Sequence, residues 1–242
     1  MPDRGRFLVL GAVGGYNLVQ NYMVSERAYV PANMVATLGL VALARRNGCT
    51  WDELGLNPLE AGRGIRHGLA GAAGAAVVAG GITTLRSARP YLLDERAAGH
   101  SAAEITYRAA VRFPLGTALF EEVAFRGVIY GTWRHSGASP RTAAVVTATA
   151  FGLWHLIPSG QALRGNPLGA RIGTRCAEAG VVMAGALLTG ISSLGFGWMR
   201  RRSGSLVAPW IGHAAINSFT YLAGVGAWGR STASTGGGSL SG

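Results

Sequence analysis

GLAGAAGAAVVAGGITTL, residues 68–85, has no polar face. A helix on the outside of a soluble bundle carries an apolar stripe on one side and polar residues on the other. This stretch is apolar all round and about long enough to cross a hydrocarbon core, which takes roughly 20 mainly apolar residues. It therefore reads as a membrane helix.

The gaps between charges repeat that reading along the chain. Arg6 to Glu26 leaves 19 uncharged residues, Arg27 to Arg45 17, and Arg66 to Arg86 19. Arg141 to Arg164 leaves 22, Glu178 to Arg200 21, and Arg202 to Arg230 27. A seventh window, between Arg112 and Arg134, is apolar except for Glu121, Glu122 and Arg126. The expectation is an all-α, polytopic transmembrane bundle of about seven helices, multi-pass in the cell membrane, with its active site inside the bundle. Charged residues make up only 14% of the chain, against about a quarter in soluble domains, which disfavours an ordinary cytosolic globule. Two cysteines, Cys49 and Cys176, exclude a disulfide scaffold or a cysteine-rich metal site.

All 22 basic residues are arginine, against 11 acidic ones. They are scattered among the loops rather than gathered on one face, so nucleic acid is not an expected partner and anionic lipid headgroups are. With seven helices the loop arginines divide almost evenly between the two sides, and the positive-inside rule gives no orientation. The first apolar run is long for a cleaved signal peptide and lacks a clear cleavage site, so it is expected to be retained.

Residues 7–25, 28–44 and 67–85 read as three plain helices with no ionisable group except His67 at an edge. Between residues 86 and 112 the chain reads as interfacial, with a helix start at Ser101 capped by Glu104 three residues on, and a kink at Pro114. Four windows follow, 113–133, 142–163, 179–199 and 205–226, and three of them hold polar residues. This asymmetry divides the chain into accessory membrane helices and interfacial loops over 1–104, a functional core over 105–228, and a disordered Gly/Ser-rich tail over 229–242. No internal repeat of the transporter kind is present.

The polar residues of the core fall into three patterns. In FEEVAFRG (120–127), each charge costs about 2.5–3.5 kcal/mol at mid-membrane and must face the bundle interior or water. Glu122 and Arg126 lie four apart on one face and can pair. Glu121 is about 100° round the helix and left for other work. In FGLWHLIP (151–158), Phe151 and His155 share a face, and Trp154 reads as an interface anchor. In HAAIN (213–217), His213 and Asn217 stack on one face, and both can donate hydrogen bonds. Singly, the patterns also suit an ion pair or polar contacts that fix helix packing. Together they supply a base for water and donors for an oxyanion. Glu, His and His also suit three-coordinate zinc with an open position. Neither a GxSxG elbow nor an HExxH helix is present, and Ser218 is an unsupported nucleophile candidate.

Taken in order, EEVAFR at 121–126, FGLWH at 151–155 and HAAIN at 213–217 match EExxxR, FxxxH and HxxxN. By this pattern the chain resembles the CPBP family of intramembrane glutamic endopeptidases, which includes Rce1-type CAAX prenyl proteases and the bacterial Abi proteins. The resemblance covers roughly 108–224 and none of the first hundred residues. It implies Glu121 as the general base, His155 holding the water, and His213 with Asn217 as the oxyanion site. Glu122, Arg126 and Phe151 would support them. It implies a metal-free mechanism with no cofactor, zinc being the alternative, and a membrane-associated peptide or protein substrate, CAAX-like or bacteriocin-type. A non-catalytic scaffold or partner-binding protein on the same fold is the alternative function. A transporter or proton relay using Glu121 and Glu122 is a third.

Overall fold

A computed structural model describes residues 2–93, 99–166 and 169–236. No strand occurs among the described residues, and the chain makes seven long helical passages. They are α1 (Pro2–Tyr22), α2 (Tyr29–Arg46), α3 (Ala61–Thr84), α4 (residues 102–135), α5 (Pro140–Trp154) continued by α6 (Leu156–Arg164), α7 (Arg175–Ser203) and α8 (Val207–Gly236). Four stretches are by length and composition able to cross a membrane: Glu26–Arg46, Pro58–Thr84, Pro140–Arg164 and Arg175–Ser203. The bundle is membrane-type, and large apolar side chains such as Leu8, Leu38, Val77, Leu187 and Ile191 stand exposed on its outside. In water such a surface would be an aggregation liability; in lipid it is the solvated face.

Central to the bundle is α4. Every residue from 120 to 132 is buried, and α1, α2, α5, α7 and α8 all pack on this helix. It starts as expected: the Ser101 hydroxyl accepts from the Glu104 N–H, and the Glu104 carboxylate accepts from the Ser101 N–H at 2.9 Å. Beyond Tyr107 it widens into π-helix over Arg108–Leu119 and again over Glu122–Ile129, with Phe120 and Glu121 in α geometry between. Pro114 sits inside the first wide stretch. Proline lacks the N–H of a normal helical bond and crowds the preceding carbonyl, and the wide turn accommodates it.

Two glycines in the first half of α3 have a packing role. A Cβ on Gly64 would come within 2.9 Å of Val207, and one on Gly68 within 2.8 Å of Ile211, so α3 lies directly against α8. Small residues are what let membrane helices approach this closely. On the other side of the bundle, Gly152 of α5 and Gly190 of α7 cross at similar range. At the tail, α8 continues to Gly236, and residues 237–242 lie outside the described residues.

Candidate active site

Three helices deliver the polar motifs to one place. Glu121 sits between the two wide stretches of α4 and is 4% exposed. His155 stands at the break between α5 and α6, where φ −86° and ψ 1° end one helix and start the next. His213 and Asn217 come from α8. Glu121 Oε2 lies 3.8 Å from His155 Nε2 and 3.7 Å from His213 Nε2, and has no hydrogen-bond partner among the described residues.

Both imidazoles are held from behind. His155 Nδ1 is 2.8 Å from the Phe151 carbonyl, and a carbonyl can only accept, so that nitrogen carries the proton. His213 Nδ1 is 2.7 Å from Glu122 Oε1 and donates to it in the same way. With Nδ1 so held, each ring presents its Nε2 toward Glu121. Phe196 stacks on the His213 ring at 4.9 Å, and Phe151 packs against His155 at 4.4 Å.

Glu122 and Arg126 pair as their spacing predicts. Arg126 Nη1 donates to Glu122 Oε1 at 3.0 Å, with both side chains at 1% exposure or less. The guanidinium also lies over the Phe151 ring, 4.0 Å from its centroid, and 5.1 Å from that of Phe196. Glu122 thus accepts from Arg126 and His213 with the same oxygen, while Glu121 is free of Arg126. The two adjacent carboxylates have different surroundings because the helix turns them to different neighbours.

Trp154 corrects the expectation of an interface anchor. It is 3% exposed, and its indole N–H donates to Glu121 Oε1 at 3.2 Å. Phe120 and Phe125 pack on its ring. Its position beside His155, just where α5 ends, was the available signal. Asn17 of α1 donates to the Trp154 carbonyl at 3.1 Å, so the first helix reaches the site as well. Asn17, Gln20 and Asn21 repeat at helical spacing in the uncharged part of α1 after Arg6, a polar stripe that the charge-based reading passed over.

Asn217 does not touch Glu121. It lines, with Glu121, His155, Tyr29, Thr117 and Trp154, a cavity of about 610 Å³. Ser218 donates to the Ala109 carbonyl at 2.7 Å, so its hydroxyl serves the packing of α8 on α4.

Residues 104–219 match the family model described as type II CAAX prenyl endopeptidase, Rce1-like. That segment spans all three motifs, and over it the chain is similar to the Rce1-like CAAX protease family. Comparison with curated proteins and with solved structures gives no match.

Proposed function

With an Rce1-like core as premise, we propose that this protein is an intramembrane endopeptidase in which Glu121 activates water to hydrolyse a peptide bond of a membrane-associated peptide or protein. The observation that carries the reading is the buried Glu121 Oε2, which has no hydrogen-bond partner among the described residues and faces two imidazole nitrogens at 3.7–3.8 Å. Polar atoms at that separation are a distance that one bridging water spans. Such a water can donate one proton to Glu121 and the other to His155 Nε2, leaving a lone pair for the substrate carbonyl.

Glu121 takes the proton from the water as the oxygen attacks the carbonyl carbon. The developing oxyanion needs donors in a dry site. Asn217 supplies its amide N–H₂ from the cavity wall. His213 Nε2 faces the same space and, in the imidazolium form, donates as well. The proton on Glu121 then passes to the leaving amine as the C–N bond breaks, which restores the carboxylate. Glu122, Arg126 and Phe151 hold His213 and α4 in position. The reading needs no metal and no cofactor. The cell membrane is the proposed location, and CAAX-like and bacteriocin-type tails are both candidate substrates.

The test uses purified protein in membranes, a panel of membrane-presented peptides, and the variants Glu121→Gln and Glu121→Ala, with and without a strong chelator. Cleavage by the wild type that both variants lose, and that chelation leaves intact, supports the reading. Equal cleavage by all three removes Glu121 from the mechanism. Loss on chelation with recovery on added zinc turns the same residues into ligands.

A further inference from the structure

At the other end of α4 from Ser101, a second cluster of titratable side chains lies outside the cavity. The end of α2 leads into the loop carrying Cys49 and Glu53, and His135 closes α4. Cys49, Glu53 and His135 offer a thiol sulfur, a carboxylate oxygen and an imidazole nitrogen all within 4.8 Å of one another, and among the described residues this is the one group of three to do so. Glu121 is 14 positions before His135, so the cluster stands roughly 20 Å along the helix from the proposed catalytic centre.

The cluster is already held in shape. His135 Nδ1 lies 3.1 Å from Glu53 Oε1 and 3.2 Å from Oε2. Glu53 Oε2 also accepts the Thr50 N–H at 2.7 Å, and the Thr50 hydroxyl accepts the Glu53 N–H in return. Gly48, at φ +93°, lets the imidazole come close, since a Cβ there would stand 3.1 Å from His135 Nε2. Cys49 is fully buried beneath, while His135 and Glu53 are about one-third exposed. The imidazole and the carboxylate thus face solvent, with the thiol behind them. Burial, with the Glu53 charge, pushes the Cys49 thiol up to about 11.

We propose that Cys49, Glu53 and His135 form a binding site for a divalent cation of borderline softness, zinc foremost, separate from the cavity that holds Glu121. One sulfur, one nitrogen and one oxygen make a three-ligand tetrahedral set with an open fourth position. A thiolate selects against magnesium and calcium, which take oxygen ligands. On binding, the Cys49 thiol releases its proton to solvent, and the imidazole coordinates in its neutral form. The ion replaces the Glu53–His135 hydrogen bond with bonds to both.

Its structural effect follows from Arg200. This buried guanidinium donates to the carbonyls of Asp52 and Glu53 in the loop, and its Nε donates to the Arg126 carbonyl at 3.1 Å. A metal at Cys49 would fasten the loop to the end of α4, while Arg200 already fastens it to the Glu122–Arg126 turn. The site is thus a clamp on the helix that carries Glu121.

The test requires no substrate, so its outcome is independent of the proteolytic reading. Metal-free full-length protein in detergent micelles is titrated with cobalt(II), then competed with zinc, and the bound metal is counted by mass spectrometry. Wild type is expected to bind one ion per chain with a thiolate-to-cobalt absorption band. The band should persist in Cys176→Ser and Glu121→Gln, and vanish in Cys49→Ala. The surface variant His135→Gln should weaken binding by more than about tenfold, since even outer-shell partners of a metal are worth that much. Circular dichroism checks that each variant is folded. Absence of a thiolate band in wild type, its survival in Cys49→Ala, or unchanged affinity in His135→Gln would overturn the proposal.

Discussion

Glu121 accepts from a neutral indole, whereas Glu122 accepts from a guanidinium and an imidazole. That difference assigns the two adjacent carboxylates different work. Replacing Glu121 by Gln keeps the shape and removes the base, and the cleavage rate should fall by about 10²–10⁴-fold, the usual range for general-base catalysis. Trp154→Phe keeps the ring packing and removes one donor to a charged acceptor. Such a bond is worth about 1.5–3 kcal/mol, so cleavage should drop by roughly tenfold or more while helical content is unchanged. Arg126→Leu is a different kind of change. It leaves a buried Glu122 carboxylate without its counter-charge, and removing one partner of a buried pair costs about 3–5 kcal/mol. Denaturation in detergent should therefore show a large loss of stability, which Glu121→Gln does not share.

At the level of elements, α4 and α5 position the chemistry by two different devices. The wide turns of α4 pass Pro114 without a break and bury both of the next charges toward the interior. The end of α5 turns His155 inward by stopping the helix at Trp154. Close contact with α7 lies just before that stop. A Cβ on Gly152 would lie 2.9 Å from the Ala186 carbonyl, and backbone cannot step aside as a flexible side chain does. Gly152→Ala should cost about 1–3 kcal/mol as an overpacking change. Because His155 is three residues on, cleavage should fall as well. Paired denaturation and turnover measurements would show both effects, and a stable variant with full activity would mean that α5 has more freedom than its packing implies.

Over the whole molecule, the first two helices and the Rce1-like core share one interior. Val9, Val13 and Leu40 belong to the same buried cluster as Phe120, Val123 and Phe125. Asn33 ties three helices together: it accepts from the Tyr16 hydroxyl at 2.7 Å and donates to the Gly116 carbonyl at 2.8 Å. Asn33→Leu strands both partners in the interior, and unsatisfied buried groups cost about 1–3 kcal/mol each. Unfolding of that variant in detergent should begin at lower denaturant. An unchanged midpoint would mean that α1 and α2 contribute little to the stability of the core.

The membrane bundle was legible in the sequence because a helix in lipid must be apolar around its whole circumference for about 20 residues, and charge gaps report that directly. The Glu122–Arg126 pair was legible because four residues along a helix is a local distance. Motif order likewise singled out Glu121, His155, His213 and Asn217. Tertiary structure alone decided their neighbours in space. Trp154 looked like an interface anchor, since its neighbours in sequence are apolar and near a helix end; its true partner, Glu121, lies 33 positions away on another helix. His213 carried a plausible link to Asn217 four residues on, yet its nearest acceptor is Glu122, 91 positions distant. The same holds for Arg200, whose acceptors lie on the 47–57 loop and on α4. A sequence encodes contacts within a turn or two by periodicity, whereas which buried donor meets which acceptor depends on how the helices pack.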